Sequence, residues 1–188
     1  GLLPMFRRTM PDNTETDDLN RDLLRDAAEQ VQKQADGLPV YYTEWNGCAT
    51  FGAPGNDTRK VAAYDVRAAL SAEDFIEGSS IWCFSDIFEE IHPFPEEFHG
   101  GYGLVTQHGI AKPLFHALRL LGQAGDKRLE LPGALDGEVS VAAFRDAADT
   151  QLTVLATKQN LHHFAAQSTP ATPVEIEVEL DAKPQSVQ

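Results

Sequence analysis

Cysteine is nearly missing from this chain, with two residues, Cys48 and Cys83, in 188. They stand far apart and form no metal-ligand spacing, so a cysteine-built zinc site is excluded. A disulfide and a pair of free thiols both stay open, and with them the compartment. Basic residues are also few, 15 Lys and Arg against 29 Asp and Glu, for a net charge of −14. Nucleic acid and anionic membranes both need a basic face, so this balance argues against either and suits a soluble protein with neutral partners. No apolar run approaches the roughly 20 residues of a membrane span. Nothing at the N-terminus resembles a signal peptide, and the sequence does not begin with Met. No internal repeat and no long low-complexity tract is present.

What is present is enough apolar material, 42% of residues, for a real core in one domain or one and a half. The organising stretch is Pro39-Val40-Tyr41-Tyr42-Thr43-Glu44-Trp45-Asn46. Val, Tyr and Thr suit a pleated, packed surface, so it reads as a short buried strand. Glu44 falls at the C-terminal end of that strand, where parallel α/β architectures hold their catalytic groups. An ion pair with a neighbouring Arg, or a helix cap, would explain the same position, and position alone does not choose.

Upstream, Leu19, Leu23, Leu24, Ala27, Ala28, Val31 and Ala35 recur at helical spacing, and Gly37 follows as a C-cap. Downstream, Asn56 or Asp57 can cap a second helix running to about Leu70. Gly78 to Asp86 reads as another short buried strand. The long segment Ile87 to Gly109 that follows is of a length usually reserved for function. Pro113 opens a third helix with Leu114, Ala117, Leu118 and Leu121 on its stripe. Helix, strand, helix, strand, loop, helix is the order of parallel strands with helical crossovers. Two strands cannot close a barrel, so the pattern predicts the last piece of a larger α/β domain over residues 1–125. From 126 to 188 the period changes to two. Val139, Val141 and Ala143, then Leu152, Val154 and Ala156, then Val174 to Leu180 predict antiparallel strands of a sandwich.

Four stretches then carry a resemblance: Tyr41 to Asn46, Ser80 to Glu90, Phe98 to Leu104 and Ala111 to Ala117. In order and spacing, over roughly residues 15–180, the chain resembles glycoside hydrolase family 39, its β-xylosidases more closely than its α-L-iduronidases. The resemblance implies the C-terminal portion of a (β/α)8 TIM barrel followed by β-sandwich strands, with the two strands standing as the seventh and eighth of the barrel. It implies a retaining glycosidase acting on xylo-oligosaccharides or related glycosides. By the same resemblance Glu44 matches the catalytic nucleophile, and Trp82, Glu89 and Glu90 match residues that line the sugar pocket. The chemistry agrees, because such an enzyme needs an ionised carboxylate and a protonated carboxyl about 5–5.5 Å apart. A flat indole suits a sugar ring, and further carboxylates accept hydrogen bonds from its hydroxyls.

The chain departs from the family in one important respect. The acid/base glutamate of an Asn-Glu-Pro motif is absent, so half of the catalytic pair is missing and the sequence reads as a fragment, inactive alone. Cys83 stands where Thr is common, which reads as neutral packing. His92, His99 and His108 fit no zinc pattern and suit hydrogen bonding in or near a sugar pocket. Trp45 and Phe84 also read as plain core aromatics, Phe84 above all. Glu175, Glu177 and Glu179 read as solvent-facing. The alternative to an enzyme is a non-catalytic carbohydrate-binding or structural module. Neither reading calls for a metal or an organic cofactor. The expected partner is a small carbohydrate, and uncovered barrel strands would favour self-association into a homo-oligomer.

Overall fold

A computed structural model of the chain describes residues 22–47, 51–88, 96–135, 138–158, 173 and 175–177. In order, helix α1 (Leu23–Gln34) leads to strand β1 (Tyr41–Trp45), a 3-10 turn (Pro54–Asp57) and helix α2 (Arg59–Ala72). A second 3-10 turn (Glu73–Phe75), strand β2 (Gly78–Ile81) and helix α3 (Pro113–Leu121) follow, then β3 (Lys127–Arg128), β4 (Val139–Arg145) and β5 (Leu152–Lys158). β1 and β2 pair in parallel, whereas β3, β4 and β5 form an antiparallel sheet in that order. The helix–strand alternation and the later change of period thus mark two different kinds of sheet, as the sequence predicts.

Helix α2 lies between the two sheets. One side carries Tyr64, Ala68 and Ala72, packed with Leu24 and Ala28 of α1 and Trp45 of β1. Another carries Val66 and Leu70, packed with Ala124, Ala142 and Phe144. Val61 and Ala62 meet Leu114 of α3. A helix covered on several sides needs small and apolar residues around much of its circumference, which is why a single stripe is weak in its sequence. Its cap is Thr58, whose hydroxyl accepts from the Lys60 amide at 3.3 Å, and not Asn56 or Asp57. Those two side chains are used elsewhere, in the loop contacts described below.

Two polar ties hold this layer. Arg67, 1% exposed, donates to Asp22 at 2.6 Å and to the Leu135 carbonyl at 2.8 Å. Arg128 donates to the Leu70 carbonyl at 2.7 Å and pairs with Glu73, supplying a cation to the C-terminal end of α2. At the end of α1, Asp36 and Gly37 take φ of 49° and 81°, the left-handed turn that the Gly37 signal predicts.

Expectations about burial are corrected at several places. β1 is not a buried strand: Tyr41, Thr43 and Glu44 are exposed and Trp45 is its buried residue. Nor is Gly78 to Asp86 one, because the strand covers only Gly78–Ile81. Ser79, Ser80, Trp82 and Phe84 are exposed there, and Asp86 is the buried residue. Helices cover one face of the β1–β2 pair, and no described element covers the other. In β4 the buried set is Ser140, Ala142, Ala143 and Phe144, while Val139 and Val141 are half-buried. In β5 Val154 and Ala156 are exposed and Leu155 joins the core. Both faces of these strands carry apolar residues, so alternation gives the period without saying which face turns inward. Of the predicted strand Val174 to Leu180, residues 174 and 178–180 lie outside the described residues. Glu175 to Glu177 are irregular and exposed, Ile176 included. Among the described residues no helix is long and apolar enough to cross a membrane.

Candidate active site

The site is built at the C-terminal end of the parallel pair. Tyr42 pairs with Ser79 and Trp45 with Ile81, so β1 takes three steps where β2 takes two. The extra residue is a β-bulge, which interrupts the alternation of side chains. Tyr42 and Trp45 therefore both turn toward the helices, and Thr43 and Glu44 between them are both exposed. A regular strand could not present two successive residues in this way.

Trp82 follows β2 at the same end. Its amide donates to the Trp45 carbonyl at 2.8 Å, and its own carbonyl accepts from Asn46 Nδ2 at 2.6 Å. Glu44 and Trp82 thus sit next to the two residues that close the ladder, on neighbouring strand ends. The Trp82–Cys83 peptide is cis. The other two predicted site residues, Glu89 and Glu90, lie outside the described residues, as do His92 and Cys48.

Around Trp82 stands an aromatic wall that the sequence reading did not pick out. Trp82, 38% exposed, meets Phe88 edge-on at 5.9 Å. Phe88 meets Tyr102 edge-on at 5.8 Å, and Phe51 contacts Tyr102 at 5.1 Å and His99 at 5.5 Å. Such edge-to-face geometry is preferred by aromatic quadrupoles and fixes ring orientation as well as contact. Phe84, expected in the core, is instead 69% exposed. It alternates with its neighbours on a short segment whose backbone pairs with Val105, so its side chain faces out.

Behind the wall lies a buried ion cluster. Lys112, fully buried, brings its Nζ to 2.6 Å from Asp57 Oδ1, 2.7 Å from Asp86 Oδ2 and 3.1 Å from the Gly101 carbonyl. Asp86 also accepts from the Gly103 amide at 2.8 Å, and Asp57 accepts from the Gly100 amide at 2.5 Å. Asn56 donates to the Gly100 carbonyl at 2.8 Å. A side chain on Gly101 or Gly103 would not fit: a Cβ would lie 2.4 Å from Asp86 Oδ1 or 2.3 Å from the Asp86 amide nitrogen. Asp57, Asp86 and Lys112 stand far apart in the sequence, and nothing in it joins them.

Titration follows from these surroundings. Burial pushes the Cys83 thiol up from its ordinary value, and the thiol donates to the Ser85 carbonyl at 3.4 Å, so it is no activated nucleophile. Glu97 is held below the usual carboxylate range by hydrogen bonds from Thr106 and His108. Asp65 of α2 has no exposed surface and sits against Gly47, just after the Glu44 segment; burial raises its pKa to about 8, opposed by the Gly47 amide. His99 Nε2 lies 3.9 Å from Asp86, and His108 pairs with Glu97. Among the described residues no group of three His, Cys, Asp or Glu side chains is placed to hold a metal.

Comparison with known proteins places this chain in a family. The chain is 41% identical over 108 residues to a β-xylosidase of Caldicellulosiruptor saccharolyticus, covering 55% of this chain and 22% of that protein. It is 39% identical over 111 residues to a β-xylosidase of Geobacillus stearothermophilus, covering 59% of this chain and 21% of that protein. It therefore spans about a fifth of the length of these relatives. The crystal structure of a monomeric β-xylosidase from Caulobacter crescentus CB15 superposes with a TM-score of 0.67 at 28% identity, over 84% of this chain and 33% of that one. The likeness implies a fold of the barrel-and-sandwich type, to which the mixed α/β arrangement with two small sheets conforms at that coarse level. The model of glycosyl hydrolases family 39 matches residues 10–186, and the chain belongs to that family.

Proposed function

We propose that this chain carries the nucleophile side of a retaining β-xylosidase active site. The observation that carries the reading is Glu44 exposed in a β-bulge at the end of β1, beside an exposed Trp82 at the end of β2. Glu44 is the nucleophile: its carboxylate attacks the anomeric carbon and forms a glycosyl-enzyme ester. Trp82 offers its indole face to the sugar ring. Glu89 and Glu90 accept hydrogen bonds from sugar hydroxyls, a role resting on their place in the family motif. Residues 1–125 are the end of a TIM barrel, with β1 and β2 as its seventh and eighth strands, and 126–188 belong to a β-sandwich.

The retaining mechanism also needs a carboxylic acid about 5–5.5 Å from the nucleophile to protonate the leaving oxygen. No Asn-Glu-Pro sequence occurs in this chain. On this reading the acid comes from another barrel strand of the complete protein, and residues 1–188 alone are inactive. The substrate is a small xylose-bearing carbohydrate. The two relatives named β-xylosidases support that choice at 41% and 39% identity.

The test is the turnover of an aryl β-xyloside by the complete protein and by residues 1–188. The expected result is retaining hydrolysis by the first, lost by several orders of magnitude in Glu44→Gln with folding kept, and none by the second. Ordinary turnover by residues 1–188 would contradict the reading. Sugar binding without turnover by the complete protein would favour the non-catalytic module instead.

A further inference from the structure

We propose that Lys112 is a positioning residue for the sugar-binding wall, acting through Asp57, Asp86 and the Gly100–Gly103 loop. The proposal rests on the reading of Trp82 as a sugar platform. Four separate segments meet at one ammonium group. Asp57 comes from the turn before α2, Asp86 from the chain after β2, Gly101 from the glycine loop and Lys112 from the residue before α3. A fully buried cation is tolerated only when it is paired. Here Lys112 forms ion pairs with Asp57 and Asp86 and donates to Asp86 Oδ1 and the Gly101 carbonyl.

The staple sets loop geometry at close range. Asp86 takes the Gly103 amide, Asp57 takes the Gly100 amide, and the Gly101 carbonyl is held by Lys112 itself. His99 and Tyr102 flank these glycines, and both pack on Phe51. Tyr102 also packs on Phe88, and Phe88 meets Trp82. The path from Lys112 to the indole therefore runs through contacts fixed at each step. Asp86 also lies four residues beyond Trp82 on the same segment. Lys112 touches no sugar in this account. It determines where the rings that touch sugar stand.

The test is a double-mutant cycle in the complete protein. Lys112→Arg keeps the charge but replaces a compact ammonium with a planar fork. Asp57→Asn keeps an acceptor for the Gly100 amide while removing one charge from the staple. Each is measured alone and with Trp82→Ala, using KM and kcat for an aryl β-xyloside and xylose binding by titration calorimetry. The expected result is a rise of roughly 10- to 100-fold in KM with a smaller change in kcat, as for a displaced binding element. Combined with Trp82→Ala, either change adds little, because both act on the same wall. Losses that multiply in the double variants, or an unchanged KM with only a lower melting temperature, would overturn the proposal. If Lys112→Arg does not fold, Asp57→Asn carries the same cycle. A wild-type KM in Trp82→Ala would instead overturn the site reading, and the staple's role with it.

Discussion

Asn46 Nδ2 donates to the Trp82 carbonyl at 2.6 Å, so the residue two places after Glu44 holds the residue at the end of the next strand. With the Trp82 amide bonded to the Trp45 carbonyl at 2.8 Å, Trp82 is fixed to the Glu44 segment from both of its backbone groups. Asn46→Ala removes one of these ties and leaves the other. The expected outcome is a loss of about 1–2 kcal/mol in stability and roughly tenfold in kcat/KM of the complete protein. Denaturant unfolding and steady-state kinetics measure the two effects, and an unchanged kcat/KM would show that the tie does not serve the site.

Asp65 makes stability depend on pH in an unusual direction. Its carboxyl titrates at about 8 in the fold against an ordinary 3.8, because burial disfavours the charge. Between those values the folded chain holds a proton that the unfolded chain has released. Stability therefore falls as pH rises across that window, by about 1.4 kcal/mol per pH unit for one proton, and levels off above it. Asp65→Asn keeps the shape and an acceptor for Gly47, so it should stabilise the protein at pH 7 and flatten the slope. Thermal melts from pH 5 to 9 decide this, and a slope in Asp65→Asn as steep as in wild type would show that the pH dependence does not come from Asp65.

The glycine loop separates crowding from conformational freedom. At Gly101 and Gly103 an added methyl meets Asp86 within 2.4 Å and 2.3 Å. Gly109, at φ 84°, has nothing within 4 Å of a Cβ. Alanine at either crowded position should cost about 2–3 kcal/mol, and at Gly109 about 1 kcal/mol from backbone strain alone. Equal costs at all three positions in urea unfolding would contradict the packing account.

Much of this was legible in the sequence, for local reasons. Pro113 and Gly37 announce helix ends because their backbones allow little else there or uniquely allow it. The tyrosines before Glu44 announce a strand, and the motif order announces the family. Other features were hidden because they depend on which residues meet. The bulge at Thr43–Glu44 shows only against the register of β2, and a strand read alone has no register. Thr58 outcompetes Asn56 and Asp57 as a cap because the latter two are drawn to Gly100. Lys112 reads as an ordinary charged residue before a helix, and only the fold supplies its carboxylates. The inward face of β4 was ambiguous because Val139, Val141 and Ala143 lie on one side of it and Ala142 and Phe144 on the other.

The central claim is that Glu44 forms the covalent bond to sugar, and trapping that bond tests it most directly. The complete protein is incubated with an activated 2-fluoro-xyloside, which slows breakdown of the glycosyl-enzyme, and the labelled peptide is identified by mass spectrometry. The account predicts one fluoroxylosyl group per chain, carried on the peptide containing Glu44, with no labelling in Glu44→Gln. A label on Glu89, Glu90 or any other residue, with Glu44 unmodified, would contradict it.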